Sequence, residues 1–396
     1  VYKRQMKATE RAMPMIEKSL ELVPESSEAF AALGLARWQI GQRDAAESAL
    51  RQAIKLNDDY IPAYLWLGVL LGELGRLPEQ SQILQQAMVI DPLNELLAIN
   101  VAGNLTSQGN YEAAKELLQN LVALRPDSAT LQRIMAGHAI KSGDLVEGWQ
   151  YANRSYDLEP DSPVVIETLA DAWLSVGVTD KAERLLLDGL KIAGDNSGLQ
   201  TSYLFLLIQQ GRLEKAESLL NEQFGDSIDS LPEQLQQYYY FQKGMISLAA
   251  GDKDAARNNF ESAIRDDSDQ TWNGKQVLYA TILSALHLDA GNTVLAEQRL
   301  ESAERSVRRA RINGVDDADI YYTESSIHAL RGESQAALDS LQMAYDRGFR
   351  AVWLLEIDLR LESIHAEPQF SAIKQQIEKD MVQARSEVES FALAIR

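Results

Sequence analysis

The sequence predicts an all-α solenoid: antiparallel helix hairpins stacked in one array and closed by a C-terminal helical cap. Three observations predict it. Gly41, Gly75, Gly109, Gly143, Gly177 and Gly211 recur at a step of 34 residues. Rows of small residues keep the same step, Gly34, Gly68, Ala102, Ala136 and Ala170 in one, and Ala46, Ala114, Ala182 and Ala216 in another. Between the glycines, apolar residues fall at three- and four-residue intervals, as in Leu67, Leu70, Leu71 and Leu74, which is the period of a helix face.

Each row has a physical task. A glycine between two helical patterns gives a tight turn a left-handed residue without a Cβ penalty. The two small rows let the helices of a hairpin approach closely, one row from each side. Pro92, Pro126 and Pro160, with Pro24 and Asp58 earlier in phase, follow the second helix and stop it.

Taken in chain order, the elements read as follows. Residues 1–5, Val-Tyr-Lys-Arg-Gln, precede a segment that already reads as the second half of a hairpin. They resemble translated sequencing-adaptor DNA, so they are expected to be non-native and the natural start to lie upstream; the alternative is an ordinary polar start. Residues 6–24 are a partial first repeat. Residues 25–230 hold the regular repeats. From 231 to 350 the step lengthens: Gly251, Gly291 and Gly332 follow at 40, 40 and 41, with Ala256, Ala296 and Ala337 in step. The added residues are expected in the polar stretches Asp226–Glu233, Asp266–Gly274 and Ile312–Asp317. Nine whole hairpins result. Residues 351–396 form the cap, in which Trp353, Leu354, Leu355 and Phe370, with Phe349 just before it, are placed to cover the apolar end that a solenoid exposes.

These rows resemble the tetratricopeptide repeat, a helix–turn–helix unit of the same period. The resemblance covers residues 6 to 350. It implies a right-handed superhelix whose first helices line a concave, peptide-binding groove. Departures occur at Gln80 and Gly148, in the place of the second-helix alanine, and at Gly194, in the place of the proline. The tail from Ala344 to Asp358 and from Pro368 to Met381 resembles the closing segment of repeat arrays in bacterial signalling proteins, where such arrays follow a winged-helix domain, a nucleotide cyclase or a kinase. The chain is therefore expected to be the interaction or sensory part of a larger protein, cytoplasmic or periplasmic. The alternatives are an intramolecular spacer or homodimerisation platform, or the regulatory region of an enzyme whose catalytic domain lies upstream.

Composition narrows the function classes. The 396 residues carry 38 Lys and Arg against 58 Asp and Glu, a net charge of −20. So acidic a surface repels phosphate backbones and anionic lipid, so no nucleic acid is expected on this region. No apolar run is long enough to span a bilayer. The absence of cysteine excludes disulfides, thiolate metal sites and cysteine nucleophiles.

No catalytic constellation is present in sequence: no nucleophile elbow, P-loop, dinucleotide fingerprint or H-E-x-x-H. Gly274-Lys275 lacks the rest of a P-loop, and Asp266, Asp267 and Asp269 fail as a calcium loop because Trp272 stands where glycine must turn. His287 and His328 hold equivalent places in successive repeats, and packing or solvation explains them better than a metal pair. Arg305, Arg308, Arg309 and Arg311 read as a salt-bridged face behind Glu301 and Glu304, or, more sharply, as a dock for an acidic segment. Hence the chain is expected to be no enzyme and to need no cofactor or metal.

The resemblance places the groove on Ala31, Leu35, Trp38, Leu65, Val69 and Ile99, then on Arg133, Lys141, Glu167, Asp171 and Phe205, and last on Tyr238, Phe241, Met245, Tyr322 and Ser326. Leu35, Trp38, Leu65, Val69, Ile99, Arg133, Phe205, Tyr238, Phe241 and Tyr322 are the expected binding residues, with the aromatics as anchors. The Lys and Asn clamp of chaperone-binding members is not present, so a chaperone tail is not the expected partner.

Overall fold

The computed structural model describes residues 2–225, 228–264 and 274–394. Among them there are helices and turns and no strand. The leading helix α1 (Tyr2–Leu22) is followed by hairpins α2 (Ser27–Gln39) with α3 (Arg43–Leu56), α4 (Ile61–Glu73) with α5 (Leu77–Ile90), and α6 (Glu95–Ser107) with α7 (Tyr111–Leu124). Next come α8 (Ala129–Lys141) with α9 (Leu145–Leu158), α10 (Pro163–Ser175) with α11 (Thr179–Ile192), and α12 (Ser197–Gln209) with α13 (Leu213–Phe224). The longer repeats are α14 (Glu233–Ala249) with α15 (Lys253–Ala263), α16 (Gly274–Asp289) with α17 (Thr293–Ile312), and α18 (Ala318–Leu330) with α19 (Ser334–Asp346). The cap is α20 (Val352–Ile357), a 3-10 turn (Leu359–Ile364) and α21 (Pro368–Ala394).

Local chemistry sets these boundaries. Several first helices start on a side chain that accepts from an otherwise unpaired backbone amide: Ser26 from Ala29 at 3.1 Å, Asn94 from Leu97 at 3.1 Å, Ser128 from Leu131 at 3.3 Å and Asn196 from Leu199 at 3.0 Å. All nine turn glycines are left-handed, with φ from 68° to 90°. The small row on the first helices does what its spacing predicts: a Cβ at Gly34 would lie 2.6 Å from Leu50, and one at Gly68 would lie 2.8 Å from Leu84. Two departures have partners. Gln80 accepts from Asn104 at 2.8 Å in a buried polar contact, and at Gly148 a Cβ would meet Ile140 at 2.6 Å, so no alanine fits there.

The added length of the later repeats lies partly in the helices. Thus α14, α16 and α17 have 17, 16 and 20 residues, against 12 to 14 for their counterparts from α2 to α13, and α17 runs to Ile312. The second of the expected loops lies almost wholly outside the described residues, as do Asp226 at the head of the first, Val1 of the leading pentapeptide, and Asp266, Asp267, Asp269 and Trp272.

The chain divides into two compact units, Val1–Leu118 with Ile312–Val315, and Gln119–Arg311 with Asp316–Arg396. In the first, Leu50, Leu67, Leu70, Leu71, Leu84 and Leu97 form a sealed core. In the second, Trp149 packs edge-on against Trp173 at 5.1 Å, within a cluster that reaches Leu204, Leu207 and Leu220.

The second unit closes on itself. Gly348, just after α19, lies so near the α8–α9 turn that a Cβ on it would sit 2.4 Å from the Lys141 carbonyl oxygen. Lys141 Nζ meets Asp317 at 3.2 Å and Asp319 at 3.7 Å. Farther on, α21 lays Ala384 and Val388 into the Trp149 cluster, and the Arg385 guanidinium donates to the carbonyls of Val176 (3.0 Å) and Gly177 (2.8 Å). The expected cap therefore does more than cover the end of the last hairpin. It returns to hairpins about 200 residues earlier.

Candidate functional site: the inner face of the first helices

Within each unit the first helices pack on one another across successive hairpins, α2 on α4 and α4 on α6, then α8 on α10, α10 on α12, α12 on α14 and α16 on α18. This tightly spaced layer is the inner face. One register on it runs through residues 31, 65 and 99 in the first unit, and 133, 167, 201, 241, 281 and 322 in the second.

In the first unit, Leu35, Trp38, Leu65, Val69 and Ile99 are half-buried. Trp38 and Leu65 pack against the core of the unit. Ala31 is fully buried and offers no surface. The Trp38 indole donates to Glu73 at 2.8 Å, which fixes the ring across α2 and α4.

In the second unit the inner face changes character along the array. Arg133 on α8 is half-buried, and Lys141 faces Asp317 and Asp319. On α10, Glu167 and Asp171 lie one turn apart. Glu167 accepts from the Ser202 hydroxyl at 3.2 Å and lies over Gly198, where a Cβ would be 2.4 Å from its carboxylate. Asp171 reaches solvent, yet protein crowds it. That loss of hydration first, and the Glu167 charge second, push its carboxyl up to about 7. One period on, Phe205 stands half-buried on α12. The Tyr238 hydroxyl of α14 meets that of Thr201, and the Tyr238 ring packs on Phe224 at 5.8 Å.

Two expected anchors are not open. Phe241 is 9% exposed: Tyr279 stacks on it at 4.4 Å and Phe260 packs behind it, so it is a core residue. Tyr322 is buried under the chain's own tail. Phe349 stacks on its ring at 4.6 Å, and its hydroxyl donates to Asp358 at 2.6 Å. Ser326 is buried with it. The reason is the same for both. Register assigns a residue to the inner face but does not reveal what else covers that face.

The covering group is a buried ion pair. Arg360, 3% exposed, donates to Asp358 from Nε at 2.8 Å and from Nη2 at 2.6 Å, and to the Thr281 hydroxyl of α16 at 2.9 Å. Burial alone would raise the Asp358 carboxyl, but the guanidinium wins and holds it below its ordinary value. Burial and the Asp358 charge raise the Tyr322 hydroxyl well above its own. Sequence reasoning missed this pair and Tyr279. The visible signal was three charges, Glu356, Asp358 and Arg360, alternating with apolar residues in the run Leu354-Leu355-Glu356-Ile357-Asp358-Leu359-Arg360-Leu361.

Elsewhere the plainer readings fit the contacts. Arg308 pairs with Glu304 at 3.0 Å, Arg305 lies 3.9 Å from Glu301, and Arg311 pairs with Asp316 at 2.9 Å, which is a salt-bridged face. His287 is buried 3.5 Å from Glu261, and burial lowers its pKa, while His328 contacts Glu333 at 2.5 Å. Among the described residues no three His, Asp or Glu converge as a metal set, and no helix is long and apolar enough to cross a membrane.

Comparison with known proteins agrees with the repeat period. The tetratricopeptide repeat family matches residues 31–95, 105–163 and 238–269. A curated relative, small glutamine-rich tetratricopeptide repeat-containing protein 2 of Mycosarcoma maydis, is 33% identical over 116 residues, 29% of this chain. The chain spans 30% of that relative's length. Solved structures similar to it include a tetratricopeptide repeat protein of Parabacteroides merdae (18% identity, 66% of this chain and 98% of that one, TM-score 0.49). Another is a thermophilic one of Thermus thermophilus (21% identity, 46% of this chain and 100% of that one, TM-score 0.42). By their period, their left-handed turn glycines and the family matches, the hairpins of this chain are tetratricopeptide repeats over the matched residues.

Proposed function

We propose that the chain is a non-catalytic scaffold that binds protein or peptide segments on the inner face of its first helices. One observation carries the reading. Leu35, Trp38, Leu65, Val69 and Ile99 recur half-buried on the successive inner helices α2, α4 and α6. Half-buried apolar and aromatic side chains at regular spacing are the residue types that anchor partner segments. The wider setting, an interaction region of a larger bacterial signalling or transcription-regulatory protein, rests on the resemblance of the tail.

The chain's own tail divides the labour in the second unit. It occupies the inner face over α16 and α18 and leaves α10, α12 and α14 as the stretch available to a partner.

Trp38→Ala tests the reading. The substitution removes one anchor and its tie to Glu73. Peptides selected for binding to the first unit are expected to lose at least roughly tenfold in affinity, as a central aromatic anchor does. Circular dichroism reports on the fold in parallel. Unchanged affinity in a folded Trp38→Ala chain would overturn the binding role of this wall.

A further inference from the structure

We propose that the inner face of α10, α12 and α14 takes a basic side chain, arginine or lysine, from a partner segment, between the carboxylates of Glu167 and Asp171 and the rings of Phe205 and Tyr238. This rests on the inner face being a binding surface and names the chemistry of what binds there.

The chain supplies its own precedent. Over α16 and α18 the inner face already holds an arginine. The Arg360 guanidinium lies 5.5 Å from the centre of the Tyr322 ring, donates to Thr281 at 2.9 Å, and is neutralised by Asp358. Thr281 and Tyr322 belong to the register that also contains Thr201 and Phe241. Thr201 on α12 is thus the counterpart of Thr281, and the ring beside it is Tyr238, whose hydroxyl it meets. The open stretch and the filled stretch share a threonine hydroxyl with an aromatic ring next to it.

They differ in where the negative charge comes from. Over α16 and α18 the tail brings its own carboxylate, Asp358. Over α10 and α12 the wall provides Glu167 and Asp171. Glu167 is held toward α12 by Ser202 and by the absence of a side chain at Gly198. An incoming guanidinium or ammonium would meet carboxylates in a partly dehydrated setting and rings on which to lie, a combination favourable to cations. The ionisation of Asp171 is opposed first by lost hydration and second by the Glu167 charge, and a cation offsets the second. The neighbouring cations are Arg133 and Lys141 of α8 and, on α14, Lys243, whose Nζ donates to the Tyr239 hydroxyl at 3.3 Å. From α8, Arg133 stands one period before Glu167, and Lys141 is engaged by Asp317 and Asp319. The inner surface of α12 adds no charge, and α9 and α11 lie in the outer layer. The net charge of −20 steers basic partners toward the whole molecule.

The test uses the full chain and a displayed library of random peptides about a dozen residues long. Selected peptides are synthesised and titrated against the wild-type chain and against Glu167→Gln/Asp171→Asn. Both replaced residues are half-buried or exposed carboxylates, and circular dichroism confirms the fold. The expected result is enrichment of peptides with lysine or arginine beside an apolar residue, at least roughly tenfold weaker binding to the double variant, and recovery of that loss for twins carrying glutamine at the basic position. Affinity for an arginine peptide is also expected to rise roughly fivefold from pH 6 to pH 8, as Asp171 ionises, in the wild type but not in the double variant. Enriched peptides that are neutral or acidic, or indifferent to the double variant, would overturn the proposal and leave the groove reading standing. Failure to enrich any peptide would overturn the groove reading itself.

Discussion

Arg360→Met perturbs the group that closes the inner face over α16 and α18. The side chain is 3% exposed, and its partner Asp358 is 5% exposed. Removal strips Asp358 of contacts at 2.6 Å, 2.8 Å and 3.1 Å, and Thr281 of one at 2.9 Å. Asp358 keeps the Tyr322 hydroxyl and the backbone amide of residue 360 (3.0 Å) but loses its only counter-charge among the described contacts. Breaking a buried pair in this way costs about 3–5 kcal/mol. Removing both charges, as in Asp358→Leu/Arg360→Met, removes the dehydration penalty too and is expected to cost about 1–3 kcal/mol, chiefly for the acceptor that Tyr322 loses.

The pH dependence separates the cases by sign. In the wild type the Asp358 carboxyl is depressed on folding, so its contribution is present above the unfolded value and fades as pH falls through the folded one. In Arg360→Met the same carboxyl, buried without its cation, is raised instead. Falling pH from 7 to 5 then protonates it, and the deficit of the variant shrinks. Because long repeat arrays unfold by segments, the assay is native-state hydrogen exchange of the amides of α16 and α18 in mild urea. A cost of Arg360→Met below about 1 kcal/mol, or one that does not change with pH, would refute the reasoning.

Two other predictions concern the closure of the second unit. Gly348 has φ 103°, and a Cβ there would press on Lys141 and Gly143 backbone atoms at 2.4 Å and 2.9 Å, so Gly348→Ala is expected to cost about 2 kcal/mol or more and to speed exchange at the α8–α9 turn. Equal protection at that turn would count against the contact. Removal of residues 368–396 takes away Ala384, Val388 and the Arg385 bonds, and should raise exchange around Val176 and Gly177 while leaving the Leu67–Leu84 core of the first unit protected. No change at Gly177 would show that α21 only covers the end of the array.

The repeat frame was legible because its constraints are local and periodic. A turn that needs φ near 75° names glycine each time it recurs, and close approach at Gly34 and Gly68 excludes any side chain against Leu50 and Leu84. The closure was not legible, because the contact between Arg385 and Val176 has no period and its acceptors are backbone carbonyls that any residue supplies. Gly348 was in plain view, but only the fold shows that the α8–α9 turn is what it makes room for. The site was half legible for the same reason. Register assigns Phe241 and Tyr322 to the inner face, yet Tyr279 and the Asp358–Arg360 pair, which cover them, come from other parts of the chain. Gln80, a departure from the repeat, makes sense only beside Asn104.

The absence of cysteine makes one measurement especially direct. Gly137 lies on α8 one period before Asp171, is exposed, and has open space where a Cβ would stand. Gly137→Cys can therefore carry a benzophenone on the inner face of the second unit, and Ile192→Cys, exposed at the end of α11, carries the same group in the outer layer. After irradiation with a selected arginine peptide, the cross-link is expected at position 137, competed by unlabelled peptide, and absent at 192. Labelling at 192 equal to that at 137, or none at 137 with a peptide that binds, would contradict a partner seated on the inner face.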